Sequence, residues 1–418
     1  MVDAFQTSSR FIKRIAIDSS ILVLLNHLFT MTRTQHSIEA EEEALARIEW
    51  ARTMSRKDRF LLQMLVFVPI CLTLDWAHAD PIIVFIFAGV SIIPLAAWIA
   101  NFTEAIASVI GASFGGLLNA TFGNATELIV SIVALQAGML DVVKASLAGS
   151  IIANLLVGLG ISFLLNGIWF GKKEIKVNLL KANVSRLNAG SLNLAVIFLL
   201  TPAAIQYTSR TLDVDLQHTR LSYVAAILLL IFYALMLFFS MKTHKYMFEQ
   251  SEDAEPEGYG SEGMQPIHFW TNVGLLLGTT IVLVFVSEVL VNSLQEAVRS
   301  LGLTDLFVGV IIIPLFGAAV EYITCGICAV KNKVDLAISV AIGSSLQIAL
   351  FVAPVLVLAG WFMGQPMNLA FNTFSVLGVG IAVVMTNSVS TDGRHNWLEG
   401  VLLLMTYIML GTAFYLHP

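Results

Sequence analysis

Charge is what this sequence has least of. Only 12% of its 418 residues are Asp, Glu, Lys or Arg, against about 25% in an ordinary soluble domain. With 57% apolar residues, the chain cannot cover the surface of a soluble fold of this length, which excludes soluble enzyme classes. Three cysteines are too few for a disulfide framework. The sequence has no G-x-x-x-x-G-K-[ST], H-E-x-x-H or G-x-S-x-G motif, so nucleotide-driven pumping and hydrolysis lack their usual chemistry and no enzyme activity is expected. The N-terminus shows no short apolar stretch leading to a small-residue cleavage site, so no cleaved signal peptide is expected and targeting falls to the first span.

Apolar runs are abundant, and many approach the roughly 20 residues that cross a bilayer as a helix. They fall at 61–77, 81–107, 114–137, 142–166, 188–207, 221–241, 271–297, 304–331, 334–362, 371–388 and 396–416. The expected fold is therefore an all-α polytopic membrane protein with about eleven transmembrane helices, because open strands cannot cross lipid. Residues 1–60 read as a cytosolic tail with a Glu-rich helical stretch from Ile38 to Trp50, and residues 11–30 could form an amphipathic surface helix. Residues 61–80 carry an extra N-terminal span, 81–248 a first transmembrane repeat, 249–265 a cytosolic acidic linker and 266–418 a second repeat. With the N-terminus cytosolic, fourteen Lys and Arg lie on inside segments; only Lys144, Arg210, Arg220 and Arg299 lie outside. That bias sets the orientation. The net charge of −6 says little, because six acids crowd into 249–262.

A shift of 194 residues lays GNATELIVSIVALQAGMLDVVKASLAGS (123–150) on GAAVEYITCGICAVKNKVDLAISVAIGS (317–344) without a gap. Gly123 meets Gly317, Glu127 meets Glu321 and Asp141 meets Asp335. Small-residue matches are common between apolar helices, but matched carboxylates within two spans are not. The loop charges make the two copies run in opposite directions, so two inverted five-helix repeats are expected. That is the architecture of secondary transporters, although channels can share it.

Four carboxylates fall well within the spans, Glu104, Glu127, Glu288 and Glu321, and no Lys or Arg does. Without a base inside the spans they must be neutralised by protons or by bound cations. A site that alternates between the two is a cation/proton antiporter. Glu127 and Glu321, the repeat-matched pair, are the expected ion-binding, metal-ligating and proton-coupling residues. Gly123 and Gly317, four residues before them, would let each helix loosen and offer carbonyls. Asn124, Thr126, Ser150, Asn154, Ser344, Ser345 and Gln347 supply neutral oxygens of the kind a hard divalent ion takes. Each is also the kind of small polar residue that hydrogen-bonds helix to helix in membranes. Glu104 and Glu288 lie on the preceding spans and could line a proton or ion path.

Cys325-Gly-Ile-Cys328 has redox or zinc spacing but lies inside a span, where small-residue packing is the better reading. The eight histidines fall in loops, tails or span ends. The acidic segment 248–263 reads as a solvated linker, with loose calcium binding as the alternative.

LLNATFGNATELIVSIVAL (117–135), KNKVDLAISVAIGSSLQIALFVAPVLVL (331–358) and NWLEGVLLL (396–404) resemble the calcium/proton exchanger family of the calcium/cation antiporter superfamily. The resemblance runs from about residue 61 to the C-terminus. It implies eleven spans, one extra N-terminal helix and two inverted halves joined by an acidic cytosolic segment. It also implies alternating access that exports cytosolic calcium in exchange for protons, with those two as the transported ions and no cofactor. The family's G-N-A-x-E signature falls on Gly123, Asn124, Ala125 and Glu127, its polar partners on Ser150, Asn154, Ser344 and Gln347, and its preceding acid on Glu104. In the second half the usual G-N-A-A-E-H reads Gly317, Ala318, Ala319, Val320, Glu321, Tyr322, which removes an expected amide oxygen and an imidazole. The expected partners are the lipid bilayer, calcium and protons, without nucleic acid, and a homo-oligomer is compatible with the sequence. A prokaryotic inner membrane or a vacuolar membrane is the implied location. Sodium coupling, manganese handling, a passive cation channel and a transporter-derived sensor are the competing readings.

Overall fold

Several polar side chains are buried while a band of large apolar ones is exposed, unlike the surface of a soluble protein. Asn124, Glu127, Ser150, Asn154 and Ser344 are buried, whereas Trp76, Phe114, Leu235, Ile281, Phe285, Met405 and Ile408 are exposed on the perimeter. The computed structural model describes residues 56–171, 175–176, 179–208, 214–244, 247, 269–390 and 394–417. The expected surface helix at 11–30, the Glu-rich stretch and the acidic linker lie outside the described residues.

Helices make up nearly all of the described chain. In order they are α1 (Arg56–Met64), α2 (Phe67–Trp76), α3 (Pro81–Ile110), α4 (Ala112–Phe122), α5 (Ala125–Gln136), α6 (Leu140–Ala153), α7 (Leu159–Phe170), α8 (Leu179–Thr208) and α9 (Val214–Phe238). They continue as α10 (Phe269–Leu301), α11 (Ile313–Gly317), α12 (Ala319–Val330), α13 (Val334–Gln347), α14 (Ala353–Phe362), α15 (Thr373–Ser390) and α16 (Trp397–Leu416). Among the described residues, seven helices are long and apolar enough to cross a membrane, and eight if the bent pair 305–317 and 319–330 counts as one span. The chain is thus a multi-pass helical membrane protein.

Local chemistry sets several of the helix ends. Asp80 accepts from the Ile82 N–H at 2.9 Å and Pro81 opens α3, a favoured N-terminal pairing. Gly111, at φ +84, ends that helix in a conformation costly for any other residue. Asn396 and Glu399 form a capping box at the start of α16. Just before it, β2 (Arg394–His395) pairs antiparallel with β1 (Ile175–Lys176), a two-residue ladder that ties two loops together.

Small residues let helices cross closely. A methyl group on Gly149 of α6 would collide with the backbone of Val310. One on Gly400 of α16 would come within 2.6 Å of the Leu164 backbone nitrogen in α7. One on Gly89 of α3 would meet the Phe316 ring of α11 at 2.5 Å. π-helical turns interrupt the long spans at Asn154–Gly158, Phe239–Thr243, Val308–Ile312 and Ile348–Val352. Such turns often mark functional positions.

Candidate ion site

The centre of the molecule is built on two helix breaks. Between α4 and α5 the chain leaves helical geometry at Asn124, with φ −119° and ψ 32°. Between α11 and α12 it does so at Ala318, with φ −96° and ψ 18°, and the segments on either side are bent by 57°. Each break is followed by a glutamate in the first turn of the next helix, Glu127 in α5 and Glu321 in α12. Free N–H groups and the helix dipole favour negative charge there.

Glu127 is 7% exposed, and its Oε1 has no hydrogen-bond partner. Glu321 is partly buried, and its Oε2 is likewise unpaired. The two carboxylates lie within electrostatic reach of each other. A narrow crevice opens beside Glu127, and Ile92, Ser131, Ser146, Ser150 and Gly317 share its walls.

A chain of side-chain hydrogen bonds crosses next to this pair. Asn154 Nδ2 donates to Ser344 Oγ at 2.9 Å, and Ser344 Oγ donates to Asn124 Oδ1 at 2.9 Å. Asn124 Nδ2 in turn donates to Gln347 Oε1. Asn154 Oδ1 remains buried and unpaired. The structure thus brings Asn124, Asn154, Ser344 and Gln347 into one network, and places Ser150 and Gly317 with Glu127 in the crevice. Ser345 turns away and bonds to Ala341 O of its own helix at 2.8 Å. Thr126 is buried. Among the described residues no group of three or more His, Cys, Asp or Glu is placed to hold a metal, so a cation here would meet two carboxylates and neutral oxygens.

The sodium/calcium exchanger protein family matches residues 81–242 and 271–416, and both breaks lie inside the matched segments. This chain belongs to that family. Within it, the chain is similar to the Ca2+/H+ antiporter of Aphanothece halophytica, 49% identical over 373 residues that cover 87% of this chain and 98% of that protein. It is also similar to the vacuolar calcium ion transporter of Schizosaccharomyces pombe, 35% identical over 390 residues, 92% of this chain and 91% of that one. Among solved structures it matches that of the Ca2+/H+ antiporter protein YfkE with a TM-score of 0.71 and 32% identity, covering 87% of this chain and all of that one.

Two acids of this exchanger-family chain fall elsewhere. Glu104, near the end of α3, is partly buried and within electrostatic reach of Lys57 in α1. Lys57, at the start of the first candidate span, reaches Glu104, which corrects the expectation that this acid has no basic partner. Glu288 is exposed on α10, along the same face as Ile281 and Phe285, and is not among the residues lining the crevice. Cys325 and Cys328 are buried, and the Cys325 thiol donates a hydrogen bond to Ala337 O at 3.5 Å.

Ala318 is fully buried against Ala153 and Tyr322. It fills the place of an amide with a methyl group in apolar surroundings. An asparagine added there alone would find a packed wall rather than an open ligand position.

Proposed function

We propose that this chain is a secondary active antiporter that exports calcium from the cytosol in exchange for protons. The observation that carries this reading is the pair Glu127 and Glu321. Each glutamate follows a helix break and has an unpaired carboxylate oxygen, and the two lie within electrostatic reach of each other. Two ionised carboxylates balance one divalent cation, and two protons neutralise the same pair once the cation has left. The site can therefore hold either cargo but not both, which couples the two fluxes. Asn124, Asn154, Ser344, Gln347 and Ser150 supply the neutral oxygens, and carbonyls freed beside Gly123 and Gly317 add to them.

The fold is read as eleven spans, the three shorter apolar helices 125–136, 187–199 and 373–389 completing the long ones. A repeat of two halves is supported by more than sequence letters. The 194-residue offset that carries Glu127 onto Glu321 also carries the break at Asn124 onto the break at Ala318, and the π-helical turn Asn154–Gly158 onto Ile348–Val352. Elements matched in this way can rock around one central site to give alternating access. The Lys and Arg bias supports a cytosolic N-terminus. The relatives named above fit a bacterial or a vacuolar membrane.

Calorimetry of calcium binding in buffers of different ionisation enthalpy tests the shared site. Protons released as calcium binds are expected, and calcium binding with no proton release near neutral pH would contradict competition at the two glutamates.

A further inference from the structure

The two breaks are held by different means. In the first half, Asn124 is tied across to α13 through Ser344 and Gln347. In the second half, the Tyr322 hydroxyl donates to the carbonyl of Pro314 at 3.2 Å, which spans the break within its own segment. That carbonyl also accepts the Ala318 N–H at 3.0 Å, so the last turn before the break and the first turn after it meet at one oxygen.

The offset of 194 residues makes the contrast specific. It places Ala318 on Asn124 and Ala153 on Gln347, so the amide-to-amide bond of one half is matched by an alanine contact in the other. Tyr322 packs on those two alanines, with Val157 and Tyr407 beside it, and is 8% exposed. Its counterpart Leu128 has no hydroxyl to offer. One side chain therefore both packs against the two alanines and supplies a brace where no amide pair is present.

We propose that Tyr322 is a positioning residue for ion exchange. Its hydroxyl holds the α11–α12 break so that Gly317 stays against the Glu127 carboxylate and Glu321 stays in the first turn of α12. The first break is braced to an element of the opposite half and is released when the halves move. The second is braced internally and keeps its shape throughout the cycle. The inference rests on the exchanger reading above and assigns to one half a fixed wall against which the other works.

The test compares wild type and Tyr322→Phe, both full-length, in proton-driven calcium-45 uptake by reconstituted vesicles and in backbone hydrogen exchange. The Phe variant deletes one oxygen and keeps the ring. Its apparent KM for calcium is expected to rise about fivefold, the size of one neutral hydrogen bond, with little change in maximum rate. Amides in 313–322 are expected to exchange faster, while those in 119–128 are unchanged. An unchanged KM overturns the positioning role, as does a raised KM with unchanged exchange at 313–322. A fall in maximum rate alone overturns it too. Should wild type show no uphill uptake, the exchanger reading fails, and the exchange comparison still decides whether Tyr322 braces the break.

Discussion

Gly317 forms part of the wall against which the Glu127 carboxylate rests. A methyl group built on that glycine would lie 3.9 Å from Glu127 Oε1, an ordinary contact, and nothing else comes closer. At Gly123 the same methyl would come within 2.6 Å of Asn119 O and 3.2 Å of Gln347 Oε1. The two glycines are thus unequal. Gly317→Ala is expected to keep most transport, whereas Gly123→Ala pushes on the Asn124–Gln347 bond and should cost about 1–3 kcal/mol in stability or calcium affinity. Thermal unfolding and calcium titration of the two purified variants measure the difference.

Glu127→Gln and Glu321→Gln are each expected to abolish exchange and leave the protein folded. A neutral amide neither balances a divalent ion nor releases a proton. Uptake in vesicles, with elution profiles as the folding control, checks this. Retention of more than about a tenth of the wild-type rate by either variant would mean the pair is misassigned.

Gly149 and Gly343 occupy matched positions under the 194-residue offset but have different neighbours. A side chain on Gly149 runs into the Val310 backbone, while one on Gly343 meets nothing within 4 Å. Gly149→Ala should destabilise the fold by at least the about 1–3 kcal/mol of an overpacked core, and Gly343→Ala should be silent. Yield and unfolding temperature in detergent report both.

His395 makes stability depend on pH. It is 2% exposed and stacks on Phe163 at a centroid distance of 4.6 Å, with its Nδ1 3.6 Å from Glu399 Oε2. Burial pushes the imidazole from 6.5 down to about 4, against the opposing pull of Asp335 and of a hydrogen bond with the Val389 backbone. The unfolded chain therefore binds the proton first as pH falls. The stabilisation is complete above pH 6.5 and is lost progressively toward pH 4, by about 3 kcal/mol in all. His395→Gln should flatten that part of the profile. Unfolding temperatures recorded from about pH 7 to pH 5 test it, and an unchanged slope in the variant would assign the effect to other groups.

The multi-pass helical fold and the matched positions of Glu127 and Glu321 were legible in the sequence, because each leaves a linear trace. Long apolar runs, a fixed offset and unmatched charge survive without coordinates. The hydrogen-bond chain was not legible, since Asn124 and Gln347 stand 223 residues apart and spacing along one helix cannot show that they meet. Hydropathy gives the depth of a residue but not the side of the helix it occupies, which is why Glu288 read as a path residue and yet faces outward with Ile281 and Phe285. Lys57 lies outside the apolar runs as counted, and only the packing of α1 on α3 brings it near Glu104. The π-helical turns and the two-residue ladder between β1 and β2 are too short to leave a periodic signal.

Calcium uptake by sealed vesicles containing the purified protein, with an acidic lumen, a neutral exterior and no calcium gradient at the start, tests calcium/proton antiport most directly. Calcium is expected to accumulate inside against its own gradient and to leak back when a protonophore collapses the pH difference. Calcium that only equilibrates across the membrane, at the same rate with or without the pH difference, would show a passive pore and contradict it.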